Sequence, residues 1–176
     1  AFQTVNAIST AGYNSIPLSN LTLGVLLTII FLMYVGAAPS STGGGMKITT
    51  LTAVIAIVKS KVRNQAKVTY LGKKIPADRL EMAVSTFIFY TAILFFSVFL
   101  LSFTENHSLE KLLFEATSAI GTVGLSMGIT GSLSVWGKII LISIMFIGRV
   151  GVITFGLAIL AKKQHKKIDN ETDLAV

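Results

Sequence analysis

Two short stretches of this chain could do chemistry with backbone rather than side-chain atoms. Thr10, Ala11, Gly12 and Tyr13 form one, and Thr122, Val123, Gly124 and Leu125 form the other, 112 residues further on. A monovalent cation stripped of water in a low-dielectric medium must regain oxygen ligands, and rings of backbone carbonyls supply them. Glycine permits the uncommon dihedral angles that turn successive carbonyls to one side. These eight residues are the candidate ion ligands. One T-x-G triplet alone is a weak signal, since apolar helices that pack on small residues contain such triplets too.

The second copy makes the pattern specific. FQTVNAISTAGYNS, starting at Phe2, aligns without a gap on FEATSAIGTVGLSM, starting at Phe114, and five of the first twelve positions are identical. At the same offset Met33 pairs with Met145, Gly36 with Gly148, Thr42 with Thr154 and Gly44 with Gly156. The glycine pairs carry the weight, because apolar matches between apolar segments arise from composition.

Two further features bear on an ion path. GAAPSSTGGGMKIT, Gly36 to Thr49, holds a proline and three consecutive glycines inside an apolar run, which disfavours a continuous helix. Unwound backbone at membrane depth must line water or lie inside protein. Arg149 stands in SIMFIGRVGVITFG, far from either end of its apolar run. An arginine there costs about 2.5 to 3.5 kcal/mol on insertion scales, so it must face a carboxylate, carbonyls or water. Lys47 reads as a side chain that snorkels to the interface.

Catalytic chemistry finds little to work with. The chain has no cysteine, which removes thiolate nucleophiles and thiolate metal sites. His107 and His165 fall in hydrophilic connectors, and no Asp or Glu lies inside a predicted span. Glu115, on the short helix before the second triplet, reads as hydrogen-bonded behind the loop. The glycine run is not a phosphate-binding loop, because Met46 separates Gly45 from Lys47. The reading is a protein that is not an enzyme and needs no cofactor.

The elements that must hold these residues follow from hydropathy. Of the 176 residues 52% are hydrophobic and 13% charged, a balance that belongs in a membrane. Met82 to Thr104 is uncharged and exceeds the ~20 residues a spanning helix needs. Leu21 to Val58 and Val135 to Ala161 are long enough as well, the first interrupted by glycine. Ser108 to Ile120 is too short and too charged to span, and reads as a half-membrane helix with Ser108 as N-cap and Glu110 in its first turn.

The net charge of +7 gathers in two places: Lys59 to Arg79, and Lys162, Lys163, Lys166 and Lys167. That is the positive-inside pattern of cytoplasmic segments near anionic lipid, rather than a nucleic-acid patch. Residues 1–58 are then the end of a pore helix, its loop and an interrupted second helix. Residues 59–80 form a cytoplasmic basic connector, 81–161 a complete helix, pore loop and helix unit, and 162–176 a cytoplasmic tail. The predicted fold is an all-α membrane protein with about one and a half repeats of the potassium-channel-like type. The opening AFQTVNAIST has no initiator methionine and no signal-peptide pattern, so the expectation is a piece of a longer chain.

FQTVNAISTAGYN, TSAIGTVGLS and the glycine-rich GAAPSSTGGGMKIT together resemble the Ktr/Trk/HKT superfamily of potassium transporters, in the third and fourth of its four repeats. The basic tail and compact connector resemble the Ktr membrane subunit more than Trk. The resemblance implies potassium uptake across the cell membrane, with potassium as substrate and sodium as a candidate activator. A Trk-type pore subunit or a less selective monovalent cation channel is the alternative. It also implies that four loops surround one pore, so that two loops alone should not conduct. A flexible gate of Ser41, Thr42, Gly43, Gly44 and Gly45 would lie beneath the filter, with Arg149 facing the pore near it. The implied partners are a second copy in a homodimer and a cytosolic ring of nucleotide-binding regulatory subunits.

Overall fold

A computed structural model describes residues 2–36, 43–64, 68–70, 73–151 and 154. Six helices carry the described chain: α1 (Phe2–Ser9), α2 (Leu23–Val35), α3 (Ile48–Val62), α4 (Ala77–Thr104), α5 (Leu109–Ile120) and α6 (Val135–Val150). A short 3-10 turn, Leu18–Asn20, precedes α2. Between α3 and α4 two strands of two residues each, β1 (Thr69–Tyr70) and β2 (Lys73–Lys74), pair antiparallel.

α4 is the one described helix long and apolar enough to cross a membrane. Its 28 residues extend about 42 Å at 1.5 Å per residue, against a hydrocarbon core of ~30 Å. Phe95 and Phe103 are 73% and 75% exposed on it, an aromatic outer surface suited to an apolar surrounding. α5, with 12 residues, reaches about 18 Å, too short to cross that core.

Glycine sets where the apolar runs break. α2 ends at Val35 because Gly36 takes φ 61, its N–H bonded to the Leu32 carbonyl. Residues 43–47 are not helical, and α3 begins at Ile48. α6 is shorter than the 135–161 span expected from hydropathy. Gly151 caps it at φ 92, with its N–H on the Ile147 carbonyl; Thr154 is again helical, and 155–161 lie outside the described residues. Both apolar helices that follow a T-x-G stretch thus stop at a left-handed glycine, Gly36 in one copy and Gly151 in the other.

Two boundaries differ from the sequence reading. α3 runs to Val62, so Lys59 and Lys61 sit in its last turn, where cations favour the helix dipole, and the connector begins later than residue 59. Ser108 occupies the N-cap of α5 without capping it, because its hydroxyl donates to Glu110 Oε1 at 3.2 Å.

α4 packs against α3, α5 and α6, and α5 also packs against α2. One core unites Tyr90, Leu94 and Leu101 of α4 with Leu112, Ala116 and Ile120 of α5 and Leu141 and Ile144 of α6. The other joins Ala7 of α1 and Leu26, Ile29 and Met33 of α2 to Phe114, Val123 and Leu125. Val123 and Leu125 of the second loop are therefore buried in the core of the first copy. Equivalent positions differ in exposure: Phe114 is buried and Phe2 exposed, Leu125 buried and Tyr13 exposed. α4 shields the second copy, and no described helix shields α1 in that way.

Candidate functional site

Both loops leave their helices by the same hydrogen-bonded turn. Thr10 has φ 55 and Thr122 φ 52. The Ala11 N–H bonds to the Asn6 carbonyl at 3.2 Å, and the Val123 N–H bonds to the Ser118 carbonyl at 2.9 Å. In the second copy the Thr122 N–H also reaches the Ala119 carbonyl at 3.1 Å. This is the Schellman arrangement, whose left-handed position normally belongs to glycine. A β-branched threonine there is an outlier costing on the order of 1 to 3 kcal/mol, a strain that concentrates at functional sites. Two residues later Gly12 and Gly124 are again left-handed, at φ 76 and 86. Each T-x-G therefore alternates backbone handedness, and the two copies do so in register.

The loops meet. A Cβ placed on Gly12 would stand 2.6 Å from the Val123 carbonyl oxygen and 3.5 Å from the Gly124 Cα. Ala11, Gly12 and Tyr13 lie on one side of this contact, Val123, Gly124 and Leu125 on the other. Thr10, Gly12 and Thr122 are half-buried, Ala11, Tyr13 and Gly124 exposed, and Val123 and Leu125 buried.

Behind the second loop Glu115 is 5% exposed. Its Oε1 accepts from Ser126 Oγ at 2.6 Å and from the Met127 N–H at 2.9 Å, and its Oε2 accepts from Thr130 Oγ1 at 3.1 Å. Behind the first loop Gln3, also buried, is oriented by its neighbours. Its amide nitrogen donates to the Tyr13 carbonyl at 3.2 Å and its oxygen accepts from the Ser15 N–H at 3.1 Å. The sequence reading found Glu115 and missed Gln3. The signal was available, since the 112-residue offset pairs the two, but it hid among non-identical positions.

The glycine-rich segment lies directly against the second loop. The Gly44 N–H donates to Thr122 Oγ1 at 2.9 Å, and a Cβ on Gly44 would run into the Thr122 side chain and stand 2.9 Å from the Gly121 carbonyl oxygen. Gly45 takes φ 82, and Gly36 has room for no Cβ beside the carbonyls of Gly44 and Met46, each 3.0 Å away. Lys47 Nζ donates to the Gly43 carbonyl at 2.7 Å, so Lys47 holds the segment. Ser41 and Thr42 lie outside the described residues. Arg149 occupies the last turn of α6, exposed. It adjoins Gly148, which is packed on the Ile120 carbonyl so closely that any side chain there would collide.

Comparison with known proteins finds a family for the chain. A family model described as TrkH, cation transport protein, matches residues 1–170. The chain belongs to the TrkH cation transport family. Among its relatives, the Ktr system potassium uptake protein D of Bacillus subtilis is 39% identical over 159 residues, 90% of this chain and 35% of that protein. The Ktr system potassium uptake protein B of Vibrio alginolyticus is 38% identical over 153 residues, 87% of this chain and 33% of that protein. The potassium/sodium uptake protein NtpJ of Enterococcus hirae is 35% identical over 157 residues, 87% of this chain and 35% of that protein. The chain thus spans about a third of the length of these relatives.

Proposed function

We propose that this chain supplies two of the carbonyl-bearing loops of a potassium uptake pore in the cell membrane, and that its glycine-rich segment gates that pore. One observation carries the reading: two T-x-G turns with the same left-handed threonine, the same left-handed glycine and the same main-chain bond, brought into contact at Gly12 and Gly124. Such turns expose carbonyls that helix or sheet would consume, and a desolvated cation is the ligand that needs them. α5 directs its C-terminal end into the second loop, where the partial negative charge of the helix dipole favours a cation. Thr10, Ala11, Gly12 and Tyr13, with Thr122, Val123, Gly124 and Leu125, are the ion-binding residues on this reading. The Tyr13 carbonyl keeps one lone pair for an ion while the other accepts from Gln3.

The names of the Ktr relatives support potassium as the ion, and that of NtpJ supports sodium as an activator or second substrate. The bond from Gly44 to Thr122 supports the gate: the segment rests at the base of a filter loop, and conduction requires it to withdraw. Arg149 would keep cations from settling in the cavity below. The basic end of α3 and the connector face the cytoplasm, with the C-terminus on the same side. They offer a surface to a cytosolic nucleotide-binding regulatory ring, beneath a homodimer of membrane subunits.

The test is thermal stability of the purified whole transporter in detergent, titrated with potassium, rubidium, sodium and choline chlorides. A filter predicts stabilisation by potassium and rubidium at concentrations where choline has no effect. Equal response to all four salts would refute it.

A further inference from the structure

The two loops are held by chemically different braces in the same place. Gln3 and Glu115 occupy equivalent positions of α1 and α5, 112 residues apart, and both are buried. Each accepts, through a side-chain oxygen, the N–H of the residue three beyond the loop glycine: Ser15 for Gln3 and Met127 for Glu115. There the likeness ends. The amide of Gln3 has a donor and spends it on the Tyr13 carbonyl. A carboxylate has none, so Glu115 collects the hydroxyls of Ser126 and Thr130 instead. Ser126 Oγ in turn accepts from the Gly128 N–H at 2.9 Å, which extends the network along the outer part of the loop.

We infer that Gln3 and Glu115 are the positioning residues of the two loops, and that the difference between them makes the loops unequal in their hold on a cation. The inference rests on the filter reading above. The amide fixes one carbonyl of the first loop from behind. The carboxylate fixes no carbonyl of the second loop, and it sets a negative charge behind that loop in surroundings of low dielectric, where the field of a buried charge is weakly screened. Its hydrogen bonds keep that charge tolerable in the interior. The second loop is the stronger attractor, and the first has one carbonyl held from behind.

The experiment is rubidium uptake by the whole transporter in cells that depend on it, with sodium as competitor, for E115Q, Q3E and the double variant S126A/T130V. E115Q keeps the bond to Met127 and removes the charge. It should raise the rubidium KM by roughly tenfold, the worth of about 1.4 kcal/mol, and weaken sodium competition less than rubidium binding, with maximal rate changed far less. Q3E should lower the rubidium KM and relax discrimination against sodium, since it adds charge and releases the Tyr13 carbonyl. S126A/T130V leaves Glu115 in place and loosens it, and should shift the sodium-to-rubidium ratio without loss of membrane protein. If E115Q does not accumulate in the membrane, S126A/T130V decides alone. Unchanged KM and sodium competition in the variants that do accumulate would overturn the inference. A failure of the filter reading looks different, because then substitutions at Gly12 and Gly124 would also leave uptake intact.

Discussion

Gly12 and Gly124 touch backbone to backbone, but the contact is one-sided. A methyl group on Gly12 would strike the Val123 carbonyl oxygen at 2.6 Å, whereas one on Gly124 would find nothing nearer than the Gly12 Cα at 3.6 Å. Both glycines are left-handed, so an L side chain is strained at either by roughly 1 to 2 kcal/mol. Only Gly12 adds a collision with main chain.

Alanine at the two positions should therefore differ in severity. Gly12→Ala in the whole transporter should abolish rubidium uptake and lower the thermal midpoint, while Gly124→Ala should retain folded protein with reduced uptake. Uptake assays paired with melting curves check this. Equal loss at both positions would mean that the contact between the loops does not set the cost.

The glycine segment offers a test of opposite sign. Gly44→Ala would push against Thr122 and the Gly121 carbonyl, and Thr122→Val would remove the acceptor of the Gly44 N–H. On the gate reading, shortening Ser41 to Gly45 would remove the obstruction. If the segment is a gate, Gly44→Ala and the shortened variant should raise uptake at normal expression. Lower uptake in both would make the segment structural.

Arg149 stands one residue beyond the Gly148 contact with Ile120, two positions before the threonine that accepts from Gly44. On the proposed reading, a fixed cation at that level would repel ions from resting below the filter. Arg149→Gln should alter the apparent potassium affinity or the maximal rate, measured as uptake against external potassium, and wild-type kinetics would take Arg149 out of the mechanism.

A purely structural prediction concerns the end of α4. Glu105 accepts from the Ser134 N–H at 3.0 Å and from its hydroxyl, and Ser134 in turn caps α6 by accepting from the Gly137 N–H at 3.1 Å. Hydrogen bonds to a charged group contribute about 1.5 to 3 kcal/mol, less here because Glu105 is half-exposed. Glu105→Ala should lower the melting midpoint and leave the rubidium KM unchanged. A shift in KM would tie this corner to the ion path.

Much of this arrangement is legible in the sequence because glycine and hydropathy are local signals. The 112-residue offset, the half-length of α5 and the interruption after Val35 follow from residue types alone. The gap after α2 is legible as proline and glycine in an apolar run, and the strand pair between α3 and α4 is not, since two residues per strand carry no periodicity. The left-handed threonines were not foreseen either: propensity assigns that position to glycine, yet Thr10 and Thr122 both hold it, Thr122 with the Gly44 N–H on its hydroxyl. Gln3 escaped notice because its role depends on Tyr13 and Ser15 returning to it across ten and twelve residues. Such a bond exists only once the loop has folded.

The most direct test is rubidium uptake in potassium-requiring cells that carry the whole transporter with Gly12→Ser or Gly124→Ser, normalised to protein in the membrane. Two carbonyl-bearing loops around one path predict that each substitution reduces uptake on its own and that Gly12→Ser is the more severe. Wild-type uptake by both variants, with both proteins folded in the membrane, would contradict the account.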